Sequence, residues 1–424
     1  MRKINLMLLS AVIVSAVGCS KTQVDDVVAH DSLSQVKPVT TLASPPGDVV
    51  GKLVVGYQAW FGCLGDGSPF NSWKTWGPNP PSPGHINVEM WPDVREYTTT
   101  YQTGFANLGN GQPAKLFTSY SQQVVNTHFL WMQQNSIDCA ALQRFGSALA
   151  ADSRDLNWRN GNVPMVKAAA EAYGRKFFIE YDISGWTNFQ SEIKTDWTTR
   201  MQTHTSSSAY AKQNGKPVVS LWGIGVSGRP GNNAVWTDVI NWFKTQGCYV
   251  IIGVKRDWRN DATNISAYNQ ANMIQPWTVG SMNGITGADG YVPTLSADFA
   301  YCNSHNQDYQ PVAFPGFAWS NWHTGPQNEI PRLHGDFLWR QFYNIRNNNI
   351  PSVKVAMFDE YNEGTAIAKA AENASMKPSN QYFLTLDADG VACSSDFYLR
   401  LTRDGAKMIK GQIPLSASHP TSHL

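Results

Sequence analysis

Charge is what this chain has least of. Only 15% of its 424 residues are charged, 33 basic against 32 acidic, for a formal net charge of +1. Such a balance gives no overall field to favour nucleic acid or another polyanion. Cysteines are few and scattered. Cys19 is followed by Cys63, Cys139, Cys248, Cys302 and Cys393, with no CxxC and no Cys/His ligand spacing, which argues against a zinc site. The five beyond Cys19 are an odd number and cannot all pair within the chain, and Cys139 and Cys248 sit beside strand-like runs, where a thiol serves as a small buried hydrophobe. His128, His204, His305, His323 and His334 show no ligand spacing either. There is no GxGxxG after a strand, no GxxxxGK[ST] and no GxSxG elbow. No metal or other cofactor is therefore expected. No apolar run reaches the roughly 20 residues of a membrane-spanning helix.

Aromatic residues, by contrast, are abundant. Sixteen Trp and sixteen Tyr accompany an apolar fraction of 42%. That composition excludes a mainly disordered chain and a small disulfide-stapled module. Most such rings belong in a core, but in this number they also suit a neutral, ring-shaped ligand such as a sugar.

The first residues read as an address. Arg2-Lys3 is a positive start, residues 4–17 are an apolar stretch too short to span, and Ala16-Val17-Gly18-Cys19 resembles the lipobox of bacterial lipoproteins. Residues 1–18 are then a signal peptide and Cys19 the lipidated residue, with plain secretion as the alternative. The expected product is a monomer lipid-anchored in the bacterial cell envelope, on the outer membrane or cell surface. Residues 19–48 are polar, carry Pro38, Pro45 and Pro46, and read as a flexible tether reaching roughly 30 Å.

From residue 49 to about 415 the pattern alternates. Strand-like runs fall at 54–61, 115–120, 139–145, 176–183, 217–224, 249–254, 311–319 and 353–358. Helical patterns lie between them at 124–134, 163–173, 210–214 and 337–346. Alternation of this kind predicts a parallel sheet with crossover helices, and continuous apolar runs fit strands buried on both faces. Eight units predict a single α/β domain, a (β/α)8 TIM barrel with inserted loops. An open doubly wound sheet is the competing arrangement. Polar and aromatic residues cluster where the runs end, at Tyr57, Trp60, Gln143, Arg144, Asp182, Trp222, Arg256, Trp258 and Trp319. In a barrel these positions meet at the C-terminal face, where active sites sit, and all nine are taken as ligand-binding candidates.

The sharpest constellation is Asp359-Glu360-Tyr361-Asn362-Glu363-Gly364-Thr365. Three carboxylates within five residues repel and raise one another's pKa. Glu360 and Glu363 are three apart and share a face in a helical turn. Paired carboxyl groups are what glycoside hydrolysis requires. A plain capped loop, with Asp359 or Glu360 paired to Arg256 or Arg340, is the structural alternative. Asp387-Ala388-Asp389-Gly390 has half the look of a calcium loop but lacks its remaining ligands, and reads as a turn.

The segment from Glu360 to Thr365 resembles the Glu-x-x-Glu-Gly-Thr motif of glycoside hydrolase family 99, the endo-α-mannosidase/mannanase family. Val55-Gly56-Tyr57-Gln58-Ala59-Trp60-Phe61, Thr127-His128-Phe129, Leu142-Gln143-Arg144-Phe145 and Tyr181-Asp182-Ile183-Ser184-Gly185 resemble family 71/99-like domains of bacterial surface proteins. So do Gly215-Lys216-Pro217-Val218-Val219, Phe314-Pro315-Gly316-Phe317 and Trp339-Arg340-Gln341-Phe342, so that the likeness covers about residues 50–410. It implies a (β/α)8 barrel and retaining hydrolysis of an α-mannoside or α-glucan, with Glu360 acting on the sugar 2-hydroxyl and Glu363 as general acid/base. Tyr361-Asn362 stand where the family typically has Trp-His, a departure that bears on substrate and linkage. A non-catalytic surface glycan-binding lipoprotein is the second reading.

If the address reading is right, Cys19→Ala leaves the protein unprocessed or soluble. Fractionation of cells expressing that variant checks it, and mature variant in the membrane fraction would overturn it.

Overall fold

The computed structural model describes residues 42–151 and 153–424. Cys19, the leader and most of the tether lie outside the described residues. Eight parallel positions form the central sheet. They are β1 (Leu53–Tyr57), β2 (Cys139–Phe145), β3 (Lys176–Asp182), β4 (Lys216–Ile224), β5 (Tyr249–Lys255), β6 (Met273–Trp277), β7 (Asp308–Tyr309 and Val312–Ala313) and β8 (Val353–Val355). Their order is sequential from β1 to β6, and β8 pairs with β1.

Closure falls to β7, which divides its two halves between two neighbours. Asp308–Tyr309 pairs with β6 while Val312–Ala313 pairs with β8. Between them Gln310 N donates to Ile274 O and Pro311 O accepts from Lys354 N. The sheet thus meets itself and becomes a (β/α)8 barrel. Helices cover it from outside, among them Gln122–Gln134, Ser153–Ala172, Asn233–Thr245, Val292–Ser304, Asp336–Asn347 and Phe397–Ile409. The strands read as unbroken apolar runs because both faces are buried.

Two of the expected elements are corrected. Residues 115–120 do not enter the barrel. Lys115–Leu116 pairs antiparallel with Tyr101–Gln102 inside the long insert after β1. The vacated place belongs to β6, hidden from the sequence reading by Pro276, a residue that normally demotes a strand. Residues 210–214 are not helical: Lys212–Gln213 turns back on Lys216-Pro217 through Asn214-Gly215, both at positive φ.

The packed unit also extends beyond 49–415 at both ends. Ser44 N donates to Asp308 Oδ1 (3.0 Å) and Gln213 Nε2 to Pro45 O (2.9 Å), so residues assigned to the tether close the bottom of the barrel. At the other end Trp339 Nε1 holds Ser416 O and Thr421 Oγ1 holds Asp404. All five described cysteines are buried and free.

The barrel interior holds a polar layer. Lys354 on β8 reaches across to Glu180 on β3, its Nζ 2.7 and 2.5 Å from the two carboxylate oxygens. Ser220 Oγ donates to the same carboxylate, and Gln275 Oε1 lies 3.4 Å from the ammonium. Gln275 Nε2 in turn donates to Gln310 Oε1. All five side chains are buried, so each charge depends on its partner for solvation. Lys354→Met should therefore cost about 3–5 kcal/mol, and Lys354→Met with Glu180→Gln should recover much of it. Urea denaturation of the three proteins checks this; equal losses in single and double variants would place the cost elsewhere.

Candidate active site

A cavity of about 230 Å³ opens at the C-terminal ends of the strands. Alternation along the pleat decides which residues reach it. On β2, Gln143 and Phe145 face in while Arg144 faces out; on β3, Asp182 faces in and Tyr181 out. Gln58 and Trp60 follow β1, Trp222 lies two residues before the end of β4, Trp277 ends β6, and Met357, Glu360, Glu363 and Thr365 follow β8. Ser184, Arg229, Val279 and Trp322 come from the loops. At β5 there is Gly253, where a Cβ would stand 2.7 Å from Trp222 Cδ1; the missing side chain leaves room for the indole.

Asp359 anchors the loop that carries the two glutamates. Its carboxylate accepts the backbone N–H of Gln58 (2.8 Å) and of Ala59 (2.9 Å). Ala59 is left-handed (φ 47°), a strained conformation for a residue with a Cβ. The neighbouring carbonyls are held as well: Asn162 Nδ2 and Trp158 Nε1 donate to Ala59 O, and Arg159 to Gln58 O. The Gln58 side chain then points its amide at Glu360, with Nε2 2.5 Å from Oε2. On the far side of the loop, buried Arg332 donates to Gly364 O and Ala366 O, both at 2.7 Å. Gly364 sits at φ 63° against the backbone of Ala318, a turn that suits glycine.

Burial dominates the electrostatics. It pushes Glu363 up to about 7. Glu360 is raised well above the usual carboxylate range by burial, then by repulsion from Glu363 and Asp359, against the opposing pull of Gln58. Burial takes Asp359 to about 6 despite its two amide donors, and raises Asp182, whose carboxylate accepts from Gln143 Nε2 and Ser184 N. Burial and mutual repulsion thus both oppose a charge on the two glutamates at once. Around them, eight buried polar atoms have no hydrogen-bond partner among the described residues: Gln58 Oε1, Trp60 Nε1, Gln143 Oε1, Ser184 Oγ, Trp222 Nε1, Arg229 Nε, Glu360 Oε1 and Thr365 Oγ1. A buried polar atom left unpaired is costly, and eight around one cavity form a surface suited to a ligand rich in hydroxyl groups.

Of the sequence candidates, Trp60, Gln143, Asp182, Trp222, Glu360 and Glu363 come together here. The other five do not line the cavity. Tyr57 is in the core, its hydroxyl on His128 Nδ1. Arg144 points behind the sheet, paired with Asp196. Trp258 is buried between Tyr268 and Tyr301. Trp319 packs on Phe317 and His323. Arg256 lies over the Tyr291 ring and donates to Ser281 O, so Gln58, not Arg256, is the donor to Glu360. Arg340 pairs with Asp289 rather than with this loop. Gln58, Ser184, Arg229, Trp277, Trp322 and Thr365 were not anticipated. Gln58 could have been found by parity, two residues beyond Gly56 on β1; Trp277 lay on the strand that Pro276 concealed. Asp387–Gly390 closes a turn, Gly390 N on Asp387 O.

No family model matches the sequence, and no curated protein sequence matches it. Solved structures do. A GH99 endo-alpha-mannosidase from Bacteroides thetaiotaomicron is similar with a TM-score of 0.64 at 14% identity, over 86% of this chain and 98% of that one. The same enzyme in complex with BIS-TRIS-propane scores 0.63 at 14% identity, over the same shares of the two chains. A glycoside hydrolase-like protein scores 0.52 at 14% identity, over 80% of this chain and 99% of the other. At these identities the likeness establishes the fold.

The raised pKa of Glu363 has a sign that can be tested without any substrate. An acid whose folded pKa exceeds its unfolded value contributes stability below the unfolded pKa and loses it as pH rises through the folded one. The window runs here from about 4.5 to about 7. Glu363→Gln should therefore be more stable than wild type at pH 8 by roughly 1–2 kcal/mol, discounted for partial exposure, with the gap closing by pH 5. Melting curves at the two pH values check this; a gap independent of pH would contradict the burial argument.

Proposed function

We propose that the protein is a glycoside hydrolase acting on an α-linked polysaccharide or glycan, α-mannoside first and α-glucan second. The observation that carries this is the buried pair Glu360 and Glu363 facing one cavity at the C-terminal face, each pushed upward by its surroundings. The motif resemblance and the shared fold of the solved endo-alpha-mannosidase support the same reading.

In this proposal the buried pair holds one proton between them near neutral pH, and that proton sits on Glu363, while Glu360, with the Gln58 amide donating to it, carries the charge. A carboxylate with an ordinary pKa is a poor base toward a hydroxyl, and burial makes Glu360 a better one. Glu360 takes the proton of the sugar 2-hydroxyl while O2 attacks C1, giving a 1,2-anhydro sugar. Glu363 gives its proton to the departing glycosidic oxygen, for which it must be protonated near neutral pH. Water then attacks C1, its proton passing to Glu363, and O2 recovers its proton from Glu360. Two inversions at C1 amount to retention. Gln58 holds the negative charge on Glu360 in the first step. The aromatic walls Trp60, Trp222 and Trp277 stack on sugar faces, and the unpartnered atoms take its hydroxyls. Export and lipid anchoring through Cys19 belong to the same proposal, as does a monomer working on carbohydrate outside the cell.

Purified protein incubated with α-mannan and α-glucan should release reducing ends, with kcat/KM declining as pH rises through about 7 as Glu363 loses its proton. Glu363→Gln should lose about 10²–10⁴-fold on substrates with poor leaving groups and less on activated ones, and lack the alkaline decline. Glu360→Gln should lose activity on both. A protein that shifts on polysaccharide in an affinity gel yet releases no sugar would be the glycan-binding protein instead.

A further inference from the structure

At the mouth of the cavity stands Trp322, 39% exposed. The other exposed large hydrophobics among the described residues are Leu64, Leu415 and Leu424. A lone exposed apolar residue needs no explanation in general. This one does, because its backbone is held. Ser320 Oγ donates to Glu89 Oε1 (2.8 Å) and Asn321 N to Glu89 Oε2 (3.0 Å). Asn321 Nδ2 donates to Val88 O and Tyr382 O, and Gln381 Nε2 donates to Asn321 Oδ1. Glu89 is fully buried, its carboxyl raised by that burial, and its own N–H donates to Tyr361 O within the glutamate loop. The His323 ring packs beside the indole, with centroids 4.7 Å apart. A buried carboxylate is thus spent on keeping a hydrophobic ring in water at a fixed place.

The loop that carries Trp322 is bonded to the glutamate loop at Glu363. Ala318 N donates to Glu363 O (3.0 Å), and the chain runs from there to Trp322 in four residues. We propose that Trp322 is the platform for the sugar unit on the leaving side of the cut, the unit whose glycosidic oxygen Glu363 protonates. This rests on the hydrolase reading above and adds to it the residue that receives the leaving-side pyranose, whose apolar face stacks on the ring. Glu89 is a positioning residue for that platform.

The experiment compares an α-linked oligosaccharide with the glycosyl fluoride of the same non-reducing unit, which has no ring on the leaving side. Stacking of this kind changes rates by roughly two- to tenfold. In Trp322→Ala the ratio of kcat/KM for oligosaccharide to that for fluoride should fall by that amount, and in Trp322→Phe it should largely return. A ratio equal to wild type in both variants overturns the platform while leaving the hydrolase reading intact. If wild type turns over neither substrate, the hydrolase reading fails, and calorimetry decides the platform alone. Affinity for the oligosaccharide that falls in Trp322→Ala and returns in Trp322→Phe then supports it, and equal affinity in all three proteins overturns it.

Discussion

The two hydrogen bonds from the Gln58 and Ala59 amides to Asp359 hold the functional face together. They tie the end of β8 to the end of β1, the seam where the barrel's last strand meets its first. The Ala59 turn is unfavourable for a residue with a Cβ, and the carboxylate gives both adjacent amides a charged acceptor in a dry setting. With the turn fixed, the Gln58 side chain meets Glu360 and the Trp60 ring enters the wall. Asn162, Trp158 and Arg159, all from the helix Ser153–Ala172, secure the same two residues through their carbonyls. A helix packed outside the barrel thus helps to set the geometry inside its mouth.

The architecture was legible where burial on both faces writes a continuous apolar run, as in β2, β3, β4 and β5. It was obscured where one residue contradicts the pattern, as Pro276 does in β6, and where a run is apolar for another reason. Phe117, which follows the Lys115–Leu116 strand, packs with Phe61 and Trp76 of the insert after β1 and with Tyr361 of the glutamate loop, and so gives residues 115–120 the look of a barrel strand. The site was half legible. Strand ends mark the ring of candidates, but neighbours along a strand face opposite ways. Gln143 and Arg144 both looked functional; the first reaches the cavity and the second pairs with Asp196 behind the sheet. Tyr57 and Gln58 divide in the same manner, with the less conspicuous residue on the inside. Parity along each strand carries that information, whereas composition does not. Trp322 and Arg229 lie on loops, where no periodicity exists to point at them.

A site of this kind works against the stability of its own fold. The barrel interior satisfies its charges by pairing them, Lys354 with Glu180, but the mouth does the opposite: it brings acids together and leaves amide, hydroxyl and indole groups without partners. Arg332 shows how the rest of the chain offsets this. Among the described residues it is buried with no carboxylate in ion-pair distance, its guanidinium 4.4 Å from the Tyr398 ring centroid, and its Nη2 donates to two carbonyls of the glutamate loop. Such a loop is held by its backbone, which leaves its side chains free to be arranged for chemistry.

The Glu89 clamp has a kinetic meaning. Three separate stretches of chain, the insert after β1, the loop after β7 and the glutamate loop after β8, converge on one buried residue. The loop after β7 cannot swing outward alone without stripping hydrogen bonds from the buried Glu89 carboxylate, and the glutamate loop is tied to the same residue through the Glu89 main-chain N–H on Tyr361 O. On this side of the mouth the three stretches are therefore joined into one unit, so that a displacement of one must carry the others with it. Motions that admit or release a ligand then fall to the other loops of the rim, those that carry Ser184 and Arg229.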